Sequence, residues 1–385
     1  MRSKSMALVI AICLVMQSFW APIEGAFSIN ARAAVLMDPA TGKVLYAQNE
    51  NQRLPPASVT KVMTMLLILE AVHAKRVTWD ETITASATAA GMGGSQIYLK
   101  EGETMPLRDM FKAIAVVSAN DASAAVAEHL YGSLEDFIDA MNEKAKTLGL
   151  KNTHFANETG LPDPSHYSSA YDLAVISRHL LQYPEVLKFT SIWLDSLRSG
   201  KFILRNTNEL LKAYRGADGL KTGHTAEAKF CLSATAVKGG FRLLSVILGA
   251  DTDAVRVSQS KRLLDYGYRT FERRLVQKAG SDVGLITLPE ASPAKIPVRL
   301  RTDFAVVVER GKEQLITTRL VPDKKLRLPV TAGQRVGSLQ AEVSGVSVGS
   351  APVYTTKAAH RANFLVRWWR MFADWVSGFF RRGKR

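Results

Sequence analysis

The segment Pro55-Pro56-Ala57-Ser58-Val59-Thr60-Lys61-Val62-Met63-Thr64-Met65-Leu66-Leu67-Ile68-Leu69 decides how this chain is read. Two prolines end an extended stretch, since neither has an N–H to give to a sheet. The Met-, Leu- and Ile-rich run behind them predicts a helix over about 58–74. Ser58 then lies at the helix N-terminus, near the positive end of the dipole. Lys61, one turn on, projects from the same face. A buried amine in that place can lose its proton and act as base toward the Ser58 hydroxyl.

Around this helix, strands at both ends enclose helices in the middle. Residues 33–37 and 43–47 flank the turn Pro39-Ala40-Thr41-Gly42 and predict a hairpin. Helical patterns cover about 106–117, 121–131, 133–147 and 170–182. Strands return at 219–223, 230–237 and 241–249, the last two joined by Lys238-Gly239-Gly240, and a helix follows over about 253–271. A sheet drawn from both chain ends with helices between predicts a two- or three-layer α/β domain over 27–273. Over 274–356, short β-type runs at 304–308 and 314–317, with another marked by Val343, Val346 and Val348, alternate with Gly, Pro and Asp turns. They predict a small all-β domain without chemistry of its own, since it offers no cluster of His, Cys or carboxylates.

Three short motifs stand in order: Ser58-Val59-Thr60-Lys61, Ser118-Ala119-Asn120 and Lys221-Thr222-Gly223. Singly each is weak. Ser258-Gln259-Ser260-Lys261 repeats the first spacing in mid-helix among Arg256 and Arg262, where a lysine is a solvated surface residue. Ser28-Ile29-Asn30 repeats the second near the chain start. Order and structural setting separate the three from their copies. Together they resemble the penicillin-binding protein and serine β-lactamase superfamily. The likeness is closest to the low-molecular-mass D-alanyl-D-alanine carboxypeptidases and runs over nearly the whole chain. Pro56-Ala57-Ser58-Val59-Thr60-Lys61-Val62-Met63-Thr64 resembles their nucleophile segment. Val117-Ser118-Ala119-Asn120-Asp121-Ala122 resembles the second, and Asp218-Gly219-Leu220-Lys221-Thr222-Gly223-His224-Thr225 the third. Ala119 stands where β-lactamases often carry Asp.

The resemblance implies a β-lactamase/transpeptidase-like α/β (α+β) domain with a central antiparallel sheet and helices, followed by a β-sandwich-like domain. It implies Ser58 as nucleophile and Lys61 as general base. Ser118 and Lys221 would relay a proton to the leaving amine, and Asn120 would hold the peptide amide. The backbone N–H groups of Ser58 and His224 would form the oxyanion hole. Thr222, Gly223, His224 and Arg256 would bind the substrate, with Thr222 and Arg256 on its terminal carboxylate. Peptidoglycan pentapeptides and β-lactams are the implied partners. Two rival readings are a serine β-lactamase and a non-catalytic wall-binding protein at the membrane surface. For the first, the candidate deacylating groups Glu158 and Glu185 lack the expected surroundings; the complete motif set opposes the second.

Composition narrows the setting. Of 385 residues 47% are hydrophobic and 22% charged, which excludes a disordered or collagen-like chain. The net charge of +15 calls for an anionic partner. Residues 1–26 read as a signal peptide: Arg2 and Lys4, an apolar stretch, then Gly25-Ala26 at the cut. Ala31-Arg32-Ala33 also fits a cleavage pattern, but cutting there trims the first strand. Residues 357–385 carry eight basic residues against one acid, Asp374, and three of the six Trp. Phe364, Leu365, Trp368, Trp369, Phe372, Trp375, Val376, Phe379 and Phe380 fall on one helical face, with Arg367, Arg370 and Arg381 opposite. That pattern predicts an amphipathic helix lying on an anionic membrane surface at the outer face of the cell membrane. Nucleic acid does not fit a basic cluster tied to an apolar face. Cys231 reads as a buried packing residue, and Gly91-Met92-Gly93-Gly94-Ser95 equally as a mobile loop at the cleft edge or as a plain glycine turn. His154, His166 and His179 lack metal-ligand spacing, and no motif calls for a nucleotide, so no cofactor or metal is implied.

Overall fold

The computed structural model describes residues 27–364 and Trp368. The expected signal peptide at 1–26 and most of the expected tail helix over 357–385 lie outside the described residues.

The first domain is built on a five-stranded antiparallel sheet. Strands β1 (Ala33–Asp38) and β2 (Lys43–Gln48) form the expected hairpin. After the helical region come β3 (Ala217–Thr225), β4 (Lys229–Lys238) and β5 (Phe241–Ala250). The order across the sheet is β2-β1-β5-β4-β3, so the chain's first hairpin joins its last strands, with Ala33 opposite Leu248. Every residue of β1 is buried. Ala33, Val35 and Met37 face one core, while Ala34 and Leu36 face another, as the period of two along a strand requires.

On the first face lie α1 (Lys61–His73), α2 (Leu107–Val117), α3 (Asn120–Tyr131), α4 (Leu134–Thr147) and α5 (Ala170–Leu180). The second face is covered by α6 (Asp253–Thr270). The result is a three-layer α/β domain. Nearly all of α1, from Lys61 to Leu69, is buried. A helix apolar on all sides belongs inside such a core.

Beyond α6 lies an all-β domain. It comprises β6 (Phe271–Gln277), β7 (Asp282–Thr287), β8 (Lys295–Arg299), β9 (Phe304–Glu309), β10 (Ile316–Pro322), β11 (Arg335–Val343) and β12 (Val346–Thr355). β6 pairs with β9, and the other five order as β7-β8-β12-β11-β10. Val298, Val306, Val308, Ala341 and Val353 fill the core. Two local expectations change. Residues 313–315 form a 3-10 turn, and the strand begins at Ile316. Val343 and Val346 are opposing ends of a hairpin, joined by Ser344 and Gly345, both at positive φ. A two-residue turn of that hand matches the twist of the strands, and a run of alternating valines hid it.

β6 follows α6 without a linker and runs across the expected 273/274 boundary. Phe271 and Val307 pack into the core beneath α6, and Lys43 Nζ donates to the Val307 carbonyl at 2.9 Å. Among the described residues no helix is long and apolar enough to cross a membrane.

Candidate active site

Ser58 does not open an α-helix. It lies in a 3-10 turn, Ala57–Thr60, that feeds α1. Ala57 has φ +49, in the left-handed region that a residue with a Cβ occupies only under constraint. The constraint is visible on every side. Thr60 Oγ1 donates to the Ala57 carbonyl at 2.8 Å. His166 supports Thr60 in turn at 2.8 Å. Its Nδ1 accepts from the Ala156 N–H, which assigns the proton to Nε2 and makes that nitrogen the donor to Thr60. Burial lowers the His166 proton affinity to about 4, so the ring stays neutral in this role. Two glycines close the cage. A Cβ on Gly160, at φ +85, would lie 1.9 Å from the Ala57 carbonyl oxygen. One on Gly223 would lie 2.7 Å from the Pro56 carbonyl oxygen.

Lys61 is fully buried beneath this turn. Its Nζ lies 3.2 Å from Ser58 Oγ, 2.6 Å from Asn120 Oδ1 and 2.9 Å from the Thr159 carbonyl. Burial lowers its pKa to about 7, against the opposing pull of Glu158 and Asp121. An amine that gives up its proton here can still donate to Asn120 and Thr159 and turn its lone pair to the Ser58 hydroxyl. That is the arrangement a general base needs.

The second motif joins α2 to α3. Ser118 caps α2 at φ +65, and its buried Oγ has no hydrogen-bond partner among the described residues. Asn120 begins α3 with its amide fixed at both ends: Oδ1 accepts from Lys61, and Nδ2 donates to the Gly93 carbonyl at 2.7 Å. Its backbone N–H donates to the Ser95 carbonyl. The glycine-rich loop at 91–95 is therefore tied to the second motif at the cleft edge, where Ser95 lines the cavity.

The third motif lies on β3, the edge strand beside the nucleophile turn. Lys221 is buried, with Nζ donating to the Thr222 carbonyl at 2.9 Å. Burial first, then the cations of Lys61 and Arg256, push its proton affinity well below that of a free lysine. Ser118 and Lys221 are not hydrogen-bonded to each other. Thr222 Oγ1 meets Thr207 Oγ1 at 2.5 Å. His224 is exposed and stacks on Phe230 with ring centroids 4.2 Å apart. Arg256, near the start of α6, is buried and points back under β3. It donates to the carbonyls of Gly223 and Cys231 at 3.4 and 3.3 Å and pairs with Asp253. It is thus no surface arginine.

These residues share one open cavity of about 490 Å³, lined by Ser58, Ser118, Thr222, Gly223, His224 and Arg256. Lys61 and Lys221 lie beneath it, and Asn120 beside Lys61. The residues of the three motifs thus share one neighbourhood with His224 and Arg256. The sequence did not point to Arg205, Thr207 or Phe230, which also line the cavity. Nor did it give His166 and Gly160 their part in holding the turn. A signal for Gly160 was present: Asn157 Oδ1 accepts from the Gly160 and Leu161 N–H groups at 2.7 and 3.1 Å, a turn that Asn-x-x-Gly favours. Glu158 is closer to the chemistry than its sequence surroundings suggested. It is buried beside Lys61, its Oε1 has no hydrogen-bond partner among the described residues, and burial raises its pKa. Glu185 instead pairs with His73. Cys231 is buried as expected, which raises its thiol pKa to about 11.

Comparison with known proteins places these features. Residues 21–252 match the family described as D-alanyl-D-alanine carboxypeptidase, and residues 271–361 match the penicillin-binding protein 5 C-terminal domain. The D-alanyl-D-alanine carboxypeptidase DacF of Bacillus subtilis is 41% identical over 90% of both chains. Penicillin-binding protein 5 from Haemophilus influenzae superposes with a TM-score of 0.79 at 31% identity, over 87% of this chain and 99% of that one. Penicillin-binding protein D2 from Listeria monocytogenes, solved in its ampicillin-bound form, gives 0.58 at 35% identity over 64% of this chain and 100% of that one.

Proposed function

The chain belongs to the D-alanyl-D-alanine carboxypeptidase family and is a serine-type carboxypeptidase, and we propose that Ser58, with Lys61 as its base, carries the reaction. Ser58 Oγ attacks the carbonyl carbon between two terminal D-alanines of a peptidoglycan stem peptide while Lys61 Nζ takes its proton. The backbone N–H groups of Ser58 and His224 hold the oxyanion. The C–N bond breaks, and the proton passes through Ser118, with Lys221 beside it, to the departing nitrogen. The unpartnered Ser118 Oγ is free to contact that nitrogen. Asn120 positions Lys61 and holds the peptide amide. Water then attacks the acyl-enzyme, Lys61 accepts its proton, and Ser58 is restored. Thr222 and Arg256 receive the substrate's terminal carboxylate. A β-lactam enters the same cavity and acylates Ser58.

The observation that carries this reading is the buried amine of Lys61, held 3.2 Å from the Ser58 hydroxyl with a pKa lowered to about 7. Mass spectrometry after penicillin treatment tests it. The parent gains one adduct and releases D-alanine from a D-Ala-D-Ala peptide, whereas Ser58→Ala does neither. An adduct on the variant moves the nucleophile elsewhere.

The enzyme works outside the cytoplasm, with 1–26 removed as a signal peptide and 357–385 lying on the outer face of the membrane. Supporting the cut near Ala26, Phe27 stacks on Tyr266 with centroids 4.3 Å apart, and Ile29 is buried. Cleavage at 31–33 would discard both contacts. N-terminal sequencing of the exported protein checks this, and deletion of 358–385 releases active protein from membranes.

A further inference from the structure

The all-β domain carries a loop, 323–334, between β10 and β11. Lys324, Lys325 and Arg327 are exposed on it. Its acid, Asp323, is occupied by Arg335 at 3.3 Å. No ion pair forms on those three cations among the described residues. The loop is also fixed to the segment from which the tail departs. Val330 and Ala359 exchange backbone hydrogen bonds at 2.9 and 3.0 Å. Next to them, Ala291–Ser292 pairs with His360–Arg361, and the Ala362 N–H donates to the Glu290 carbonyl at 2.8 Å. A cavity of about 390 Å³ opens between loop and exit strand, with Leu288, Leu326 and Leu328 in its wall, Arg327 beside them, and Arg361 paired with Glu290 at 3.7 Å. The next aromatic residues, Phe364 and Trp368, are 68% and 52% exposed.

We propose that the loop bearing Lys324, Lys325 and Arg327 is a second contact with an anionic phospholipid surface, acting together with the aromatic tail. The proposal rests on the reading of 357–385 as a membrane-lying helix. Lipid is favoured over an anionic wall polymer by covalent continuity. Four residues separate Ala359 from Phe364, at most about 17 Å of chain, so an aromatic face in the membrane interface brings the loop to the headgroups. Once the tail is inserted, the loop's cations meet the surface at high effective concentration and their contributions multiply with those of the tail. Apolar side chains beside a cationic rim suit the boundary between headgroup and acyl chain.

The test uses the chain from residue 27 to 385 and co-sedimentation with vesicles of phosphatidylcholine, with or without phosphatidylglycerol. K324Q/K325Q/R327Q should bind anionic vesicles about ten- to a hundredfold more weakly and neutral vesicles nearly as before. A control, K75Q/K188Q/K201Q, removes three exposed lysines from the first domain. It should bind within about twofold of the parent, because charges away from the surface are screened. Unchanged penicillin labelling confirms that each variant is folded. A loop variant that binds like the parent, or a control that loses as much, overturns the proposal. So does a loss of binding to isolated wall polymer with vesicle binding intact. A chain ending at Ala362 separates the two readings. If it binds vesicles as tightly as the full chain, the tail reading fails. If its remaining anionic-vesicle binding disappears with the three substitutions, the loop contact stands on its own.

Discussion

Two groups of three cations, one in each domain, use the same side chains in opposite ways. Lys61, Lys221 and Arg256 come from α1, β3 and α6, yet converge under one cavity at 0%, 1% and 5% exposure. Lys324, Lys325 and Arg327 are neighbours in sequence and stand in water. Removing water from the first group makes each charge costly, and each cation burdens the next. The lysines answer by giving up protons readily: Lys61 to about 7, Lys221 well below its ordinary value. Burial there loosens the hold on the proton. Solvent leaves the second group useful only as charge. Basic residue types therefore do not define a role until their solvation is known.

The largest expected effect tests the buried group. Lys61→Gln should slow penicillin acylation by about a thousandfold or more, as removal of an essential base does. In the parent, protonation of Lys61 removes the base, so the acylation rate should fall about tenfold per pH unit below about 7. Stopped-flow kinetics with a chromogenic β-lactam across the neutral range reads both. A flat profile there would remove Lys61 from the role.

Next in size is the cage around the nucleophile. Gly160→Ala puts a Cβ against the Ala57 carbonyl and should cost about 2–4 kcal/mol in denaturant unfolding. Gly240→Ala, also at positive φ but with nothing within 4 Å, should cost about 1 kcal/mol. Equal losses would mean that the backbone conformation alone, and not the close approach, is what matters at Gly160. Smaller again, Arg256→Gln should lower kcat/KM about thirtyfold for a peptide with a free carboxylate. The loss should be markedly less for the same peptide amidated, which isolates the carboxylate contact from general damage. At the bottom of the scale, K324Q/K325Q/R327Q should change hydrolysis of a soluble peptide by less than about twofold, since those exposed cations do not line the cavity at Ser58. A large loss there would erase the contrast between the two groups.

Much of the first domain was legible because its elements are long and periodic. The runs behind α1 to α5 and the strands β1, β4 and β5 declare themselves through apolar spacing, and their ends fall within a few residues of expectation. The all-β domain was less legible in detail. Its strands are short, and the turn at Ser344-Gly345 was hidden between valines that looked like one strand. At the site, the motif residues were legible because each lies in a short, ordered pattern. Thr207 and His166 were not, because a threonine or histidine in a loop carries no local sign that folding will bring it to a distant turn. Glu158 was misjudged for the same reason. Its neighbours in sequence do not disclose that it is buried beside an amine from another element.

The sequence alone determined the layered α/β plan, the order of the three motifs, and the spacing of Ser58 and Lys61, because apolar periodicity, chain order and one-turn spacing are all written along the chain itself. Tertiary structure decided what those groups can do. It placed Ser58 on a 3-10 turn instead of a plain helix start, because Ala57 is held at positive φ by Thr60, His166 and the close approach of Gly160. It also decided the state of Lys61. A lysine's proton affinity is set by how much water and which charges surround it, and that environment exists only once α1, α3, β3 and the 157–161 turn have closed around the amine.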